Sequence, residues 1–289
     1  MAGANNQPSP EFMIHHEKLD LHIHLSPTKS LLLHEETIPD RVAELKREFL
    51  HDKVVRDPVI VDAGSWVVLD GMHRVVALRE LECECVPVCA VDYLDPSIKV
   101  GAWYRSISGA RNPDKIKLAL STLGLRFETF PLDVPKIAEN PALAMLFAHG
   151  VCFKLMADNM QTFEILKVAE QCLQRLGLTI EFESEKDALQ DLVNMKTEIV
   201  MTLPKIDKAS VRKAGLTSRL LPHKVTRHII PARPLGVDVP LITLTDRDTP
   251  LMDSNQRLVS DLGTRGITRK PSGAVIGGRR YEEETFIFN

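Results

Sequence analysis

Five consecutive residues, Asp70-Gly71-Met72-His73-Arg74, put a carboxylate, a pliant backbone unit, an imidazole and a guanidinium at the end of an apolar run. Val67, Val68 and Leu69 precede them as a β-prone stretch. Val75, Val76, Ala77 and Leu78 follow in a segment that tolerates a helix. The order reads strand, tight turn, helix. The first N–H groups of a helix lack intrahelical partners and lie at the positive end of its dipole, so such a turn can hold an anion. His73 and Arg74 add side-chain donors, and a guanidinium can grip a phosphate through two parallel hydrogen bonds. Gly71 lets the backbone approach a ligand closely. The same residues also fit a plainer role, an aspartate capping a helix beside a surface arginine. The five residues alone do not choose between these readings.

The elements that must position this turn follow from pattern. Residues 19–25 alternate and predict a strand, broken by Ser26-Pro27-Thr28. Ile38-Pro39-Asp40 opens a helix over about 40–51, with proline in its first turn. Residues 58–61 and 66–69 predict two short strands joined by the hairpin signal Asp62-Ala63-Gly64-Ser65. A helix over 74–82 then leads to a strand over 86–92. After Trp103 the pattern changes. Helices are expected over about 113–123, 162–176, 186–195 and 208–214, the third capped by Ser184. Residues 127–130 and 199–203 read as strands, and 143–149 with 151–156 as a hairpin around His149-Gly150. From residue 247 the chain reads as polar and loop-rich until 285–288.

Composition narrows the function class. The chain has 289 residues, an ordinary apolar share and a net charge of −3. That length suits one large domain or two modest ones. The charge gives no basic footprint for nucleic acid. No apolar run approaches a membrane span, and residues 1–12 read as an added leader ahead of Met13, without the basic and apolar blocks of a signal peptide. The cytoplasm is the expected compartment. Five cysteines, Cys83, Cys85, Cys89, Cys152 and Cys172, fit reduced thiols. The Cys83, Cys85 and Cys89 spacing matches no common zinc pattern, and Cys85 and Cys89 fall on a core strand. His22 and His24 would share one solvent face of the first strand. No P-loop, no protein-kinase motif set and no His-Glu-x-x-His helix is present.

A further cluster lies upstream of the turn, in His34-Glu35-Glu36. Together with Asp70-Gly71-Met72-His73-Arg74, Trp103, the strand over 85–93 and the late Val225-Thr226-Arg227-His228, it resembles the ParB/sulfiredoxin-like superfamily. Within that superfamily the match is to free serine kinases, both the archaeal ADP-dependent and the siderophore-cluster ATP-dependent type. The likeness covers about 18–108 and 216–246. It implies an α/β (α+β) protein: a ParB/sulfiredoxin-like nucleotide-binding domain over 13–108 and a second α/β module over 109–246 carrying the Thr-Arg-His segment, with a cleft between them. A C-terminal tail over 247–289 follows.

The resemblance also assigns roles. Glu35 would be the base that takes the proton from the hydroxyl of free L-serine, with Glu36 its neighbouring competitor. Asp70, Gly71, Met72, His73 and Arg74 would hold the phosphates of ATP or ADP, His73 also donating to the transferring group. Mg²⁺ would be held mainly by the nucleotide phosphates, with Asp70 open to orienting it directly or through water. Trp103, Thr226, Arg227 and His228 would bind the amino acid, Arg227 clamping its carboxylate. Read without the likeness, Trp103 is an ordinary core residue and 226–228 a solvated strand edge. Met72 stands where the archaeal pattern has a second histidine, which leaves ATP against ADP open. A ParB-like regulator or DNA-binding protein is the competing reading, but it calls for Gly-Glu-Arg-Arg at the turn and a basic recognition helix. Sulfiredoxin chemistry needs a cysteine where Met72 stands. Serine against threonine or homoserine, and the oligomeric state, are not fixed by these residues.

Overall fold

A computed structural model describes residues 9–109 and 112–289 and divides the chain into two compact units. The first comprises the chain up to Lys99, Lys208–Leu220 and His228–Asn289. The second comprises Val100–Asp207 and Leu221–Arg227.

The first unit is built on a five-stranded sheet in the order Phe12–Ile14, Leu21–Pro27, Cys85–Val91, Val59–Asp62, Val68–Asp70. All seven residues of Cys85–Val91 are buried, as a strand covered on both faces requires. Val59–Asp62 runs parallel to it, and the connection passes through the hairpin to Val68–Asp70 and then the helix Met72–Glu80. That crossover carries the chain from sheet edge to sheet centre and leaves the Asp70 turn at the end of an edge strand. The helix Pro39–Asp52 buries Val42, Leu45 and Phe49, a spacing that makes one apolar face, and packs on Met72–Glu80.

The second unit is an all-antiparallel six-stranded sheet in the order Thr179–Ser184, Trp103–Ser108, Ile199–Thr202, Ala144–Phe147, Val151–Met156, Arg126–Pro131. The hairpin turns at Gly150, whose φ of 88° suits glycine. The helix Thr162–Arg175 turns Ile165, Leu166, Ala169, Cys172 and Leu173 into the core. Ser184 caps the helix Glu185–Val193 by accepting from Asp187 N–H.

Three expectations are corrected. Residues 247–289 form the helix Leu251–Thr264 and the strands Ile267–Lys270 and Glu284–Phe288, which join Ala232–Leu235 in a three-stranded sheet of the first unit. The helix was hidden because its buried face includes Ser254 and Asn255. Asn255 pairs with both backbone groups of Leu25, accepting from its N–H at 2.6 Å and donating to its C=O at 3.1 Å, so a polar residue closes a strand edge there. His24 does not face solvent. It is buried edge-on to Trp66, and burial lowers its pKa. Finally, Phe12 belongs to the fold, paired with Ile23 in the sheet and packed edge-on to Phe288. The remainder of the expected leader, apart from residues 9–11, lies outside the described residues. The thiols of Cys85 and Cys89 are pushed up to about 12, in both cases chiefly by burial, which suits packing rather than ligation.

Candidate active site

The turn after Val68–Asp70 needs its glycine. Gly71 has φ of 96°, and a Cβ there would meet Arg74 Nη2 and Val59 Cγ1 at 2.7 Å. Gly71, not Asp70, is the N-cap of Met72–Glu80, and no side chain caps that helix. The capping role open to Asp70 in the sequence is therefore not the one it has. Its Oδ2 accepts from Arg74 Nη2 at 3.2 Å and from Arg233 Nη1 at 2.9 Å. Burial works to raise the Asp70 pKa, but the charges of Arg233 and Arg74 outweigh it and hold the carboxyl well below the usual carboxylate range. Arg74 also donates to the carbonyls of Asp57 at 2.7 Å and Pro58 at 3.1 Å, so much of its fork is turned onto its own scaffold.

His73 ties this turn to the loop that carries Glu35. Its Nε2 accepts from the Ile38 N–H at 3.0 Å. Ile38 is the N-cap of Pro39–Asp52 and has no side-chain cap of its own. Since an amide N–H can only donate, Nε2 is unprotonated there.

His34 and Glu35 are buried, whereas Glu36 is half-buried. His34 Nδ1 donates to the Val68 carbonyl at 2.7 Å, and its Nε2 lies 3.9 Å from Glu35 Oε1. Burial pushes the His34 pKa down to about 4, so the ring is neutral near pH 7 and its Nε2 offers a lone pair. His228 stands edge-on to His34 with ring centres 5.3 Å apart. It bonds the Leu69 carbonyl, and its Nε2 accepts from the Tyr93 hydroxyl at 2.8 Å. Burial first, and His34 second, push its pKa down to about 3. Two neutral imidazoles thus hang from adjacent carbonyls of the strand that ends in Asp70, with Glu35 beside them.

The sequence-predicted residues of the second unit form another group. Trp103 begins the strand Trp103–Ser108, and Arg227 lies over its ring at 5.4 Å. Thr226 is buried. The Thr226-Arg227-His228 run is divided, its first two residues belonging to the second unit and His228 to the first.

Three residues near these groups were not read from the sequence. Arg233, buried on Ala232–Leu235, joins Asp70 to Glu283 through ion pairs and lies 5.9 Å from the Tyr281 ring centre. A lone arginine inside the apolar stretch 229–237 was the signal available for it. Tyr93 fixes His228, and nothing but its place after the strand marked it. Lys224 sets its Nζ 4.7 Å from the Trp103 ring centre from a backbone at φ 59°.

No family model matches the chain. It is 30% identical over 224 residues to an ATP-dependent L-serine kinase of Staphylothermus marinus, spanning 73% of this chain and 86% of the relative. An ADP-dependent L-serine kinase of Thermococcus kodakarensis is 24% identical over 177 residues, 61% of this chain and 72% of the relative. Among solved structures, a free serine kinase in complex with AMP superposes with a TM-score of 0.65 at 19% identity, covering 83% of this chain and 97% of that one. That likeness gives the fold.

Proposed function

This chain belongs to the family of L-serine kinases, and from that premise we propose that it phosphorylates the hydroxyl of free L-serine with ATP or ADP, making O-phospho-L-serine. The observation that carries the reading is Glu35, a carboxylate buried beside the neutral His34 and linked through its loop to His73 of the phosphate turn. We assign Glu35 as general base. It takes the hydroxyl proton as the serine oxygen bonds to the terminal phosphorus. The bond from that phosphorus to the bridging oxygen breaks, and the nucleotide leaves one phosphate shorter. Glu35 is buried directly after His34, whereas Glu36 is half-buried, and the role is assigned to Glu35 on that placement.

The nucleotide phosphates are assigned to the first unit, at the uncapped start of Met72–Glu80. Gly71 supplies the close approach, with Met72 and His73 in the first turn. Asp70 and Arg74 hold the shape of the turn through the contacts described above. Nε2 of His73 is taken up as an acceptor in joining the phosphate turn to the Glu35 loop, so any donation to the transferring group would fall to its Nδ1. The amino acid is assigned to Trp103, Thr226 and Arg227, Arg227 taking the carboxylate, with His228 as a further hydrogen-bonding group. Arg74 and Arg233 both hold Asp70 Oδ2, which leaves Oδ1 as the oxygen that would orient a magnesium ion. Mg²⁺ carried on the nucleotide phosphates would supply charge neutralisation.

Phosphorus NMR of the protein with Mg²⁺, L-serine and either ATP or ADP tests the reading. A phosphoserine resonance is expected with at least one donor and its loss in Glu35→Gln. No resonance with either donor, while nucleotide still binds, would remove serine as the acceptor.

A further inference from the structure

Arg105 is the bulkiest fully buried side chain among the described residues. It lies on Trp103–Ser108, opposite Phe182 of the neighbouring strand, with its guanidinium 5.1 Å from that ring's centre. Its donors reach four acceptors. Nε donates to Glu170 Oε1 at 2.5 Å, Nη1 to the Trp103 carbonyl at 2.7 Å and the Lys224 carbonyl at 2.9 Å, and Nη2 to the His223 carbonyl at 3.2 Å. Glu170, itself buried on Thr162–Arg175, supplies the opposing charge.

The carbonyls of His223 and Lys224 belong to a turn outside regular strand or helix, and Lys224 holds the left-handed backbone noted above. No strand ladder sets the position of such a turn, and the Arg105 bonds to its carbonyls act on it beside the burial of Val225. The same guanidinium grips Trp103 and the 223–224 turn, and these two pieces carry the ring and the cations Lys224 and Arg227 that lie over it.

We propose that Arg105, charge-balanced by Glu170, is the positioning residue of the amino-acid side of the site: it sets Lys224, Thr226 and Arg227 against Trp103 and thereby sets the affinity for L-serine. This rests on the serine-kinase reading. The effect is one of geometry. Small displacements of a carboxylate-binding group cost binding steeply, and lysine at 105 would keep the charge but lose the planar fork that holds three carbonyls.

The test compares full-length Arg105→Lys and Glu170→Gln with the unsubstituted chain, reading kcat, KM for L-serine, KM for nucleotide and thermal midpoint. Arg105→Lys is expected to raise KM for serine about tenfold or more, leaving KM for nucleotide and kcat at saturating serine within about twofold. Glu170→Gln retains one acceptor oxygen and should give a rise of about threefold. A purely structural arginine would lower the midpoint and leave both KM values of the folded fraction alone, which overturns the proposal, as does a rise of both together. Should Arg105→Lys not fold, an unchanged KM for serine in Glu170→Gln overturns it. Absence of phosphoserine from the unsubstituted chain overturns the kinase reading, and the proposal with it.

Discussion

Among the described residues each unit of this kinase buries one arginine, and the two arginines hold different things. Arg233 of the first unit faces two carboxylates, Asp70 and Glu283. Arg105 of the second faces one carboxylate and three backbone carbonyls. The first is an arrangement of charge. Any cation of suitable reach would satisfy part of it. The second is an arrangement of directions, which only a planar fork satisfies. Both reach far along the chain, Arg233 to a residue 163 positions away and Arg105 to one 119 away. The difference teaches that the Asp70 turn is tuned by charge, whereas the segments that carry Trp103 and Arg227 are shaped by hydrogen-bond direction. The regions should then fail in different ways.

The largest separation is expected at Glu35, the group assigned to take the hydroxyl proton. Glu35→Gln should lower kcat by about 10²–10⁴-fold, the usual range for a positioned base, with KM for serine nearly unchanged. Steady-state kinetics of phosphoserine formation check this. A change confined to KM would place Glu35 with the binding groups and break the division of labour.

Acid should act next, through the first unit's buried histidines. The His34 pKa is lowered by burial to about 4, and that of His228 to about 3. An unfolded imidazole takes up a proton near pH 6.5, whereas the buried rings refuse it. Their contribution is therefore fully present above pH 6.5 and is lost as pH falls toward 4 and then 3. For His34 alone the loss amounts to roughly 3 kcal/mol by pH 4. Thermal midpoints between pH 7.5 and 4 should drop accordingly, and His34→Gln should flatten the curve. An unaltered slope in that variant would show that His34 is not the group that titrates.

Replacing the two arginines tests the comparison directly. Arg233→Met leaves Asp70 and Glu283 without their shared partner and should cost about 2 kcal/mol, below the usual figure for a broken buried pair because water reaches part of Asp70. Arg233→Lys should recover about half of that in urea unfolding, through charge alone. At position 105 lysine should recover a smaller share over methionine, because it balances Glu170 but cannot hold three carbonyls at once. Equal recovery at both sites would erase the distinction between charge and direction.

These contrasts also explain what the sequence disclosed. The Asp70 turn was legible because its parts are neighbours. A glycine is required where φ is positive, and Arg74 pairs with Asp70 four residues before it. Glu35 was legible through its adjacency to His34. Arg233, Tyr93 and Arg105 were not, since each acts on a partner more than a hundred positions away. Periodicity reports which face of an element is apolar and is silent on which distant segment meets it. The helix Leu251–Thr264 escaped for a related reason. Its buried face pairs a strand through Asn255, and a polar residue at a core position reads as surface.

The smallest expected effect compares the two cores rather than the two sites. Cys89 lies in the central strand of the first unit and Cys152 in the second unit's hairpin, and both are fully buried and free. Burial raises both thiol pKa values, that of Cys89 to about 12. A thiol held protonated neither attacks an electrophile nor ligates a metal readily, so each should behave as a small apolar side chain. Cys89→Ala and Cys152→Ala should each cost about 1 kcal/mol, the price of a small cavity, with phosphoserine formation unchanged. In the folded protein neither should react with iodoacetamide at pH 8, and both should react in urea. A loss of activity in Cys89→Ala alone would tie the first unit's core to the Asp70 turn more tightly than its packing implies. A loss in Cys152→Ala alone would extend the geometric control argued for Arg105 across the second sheet.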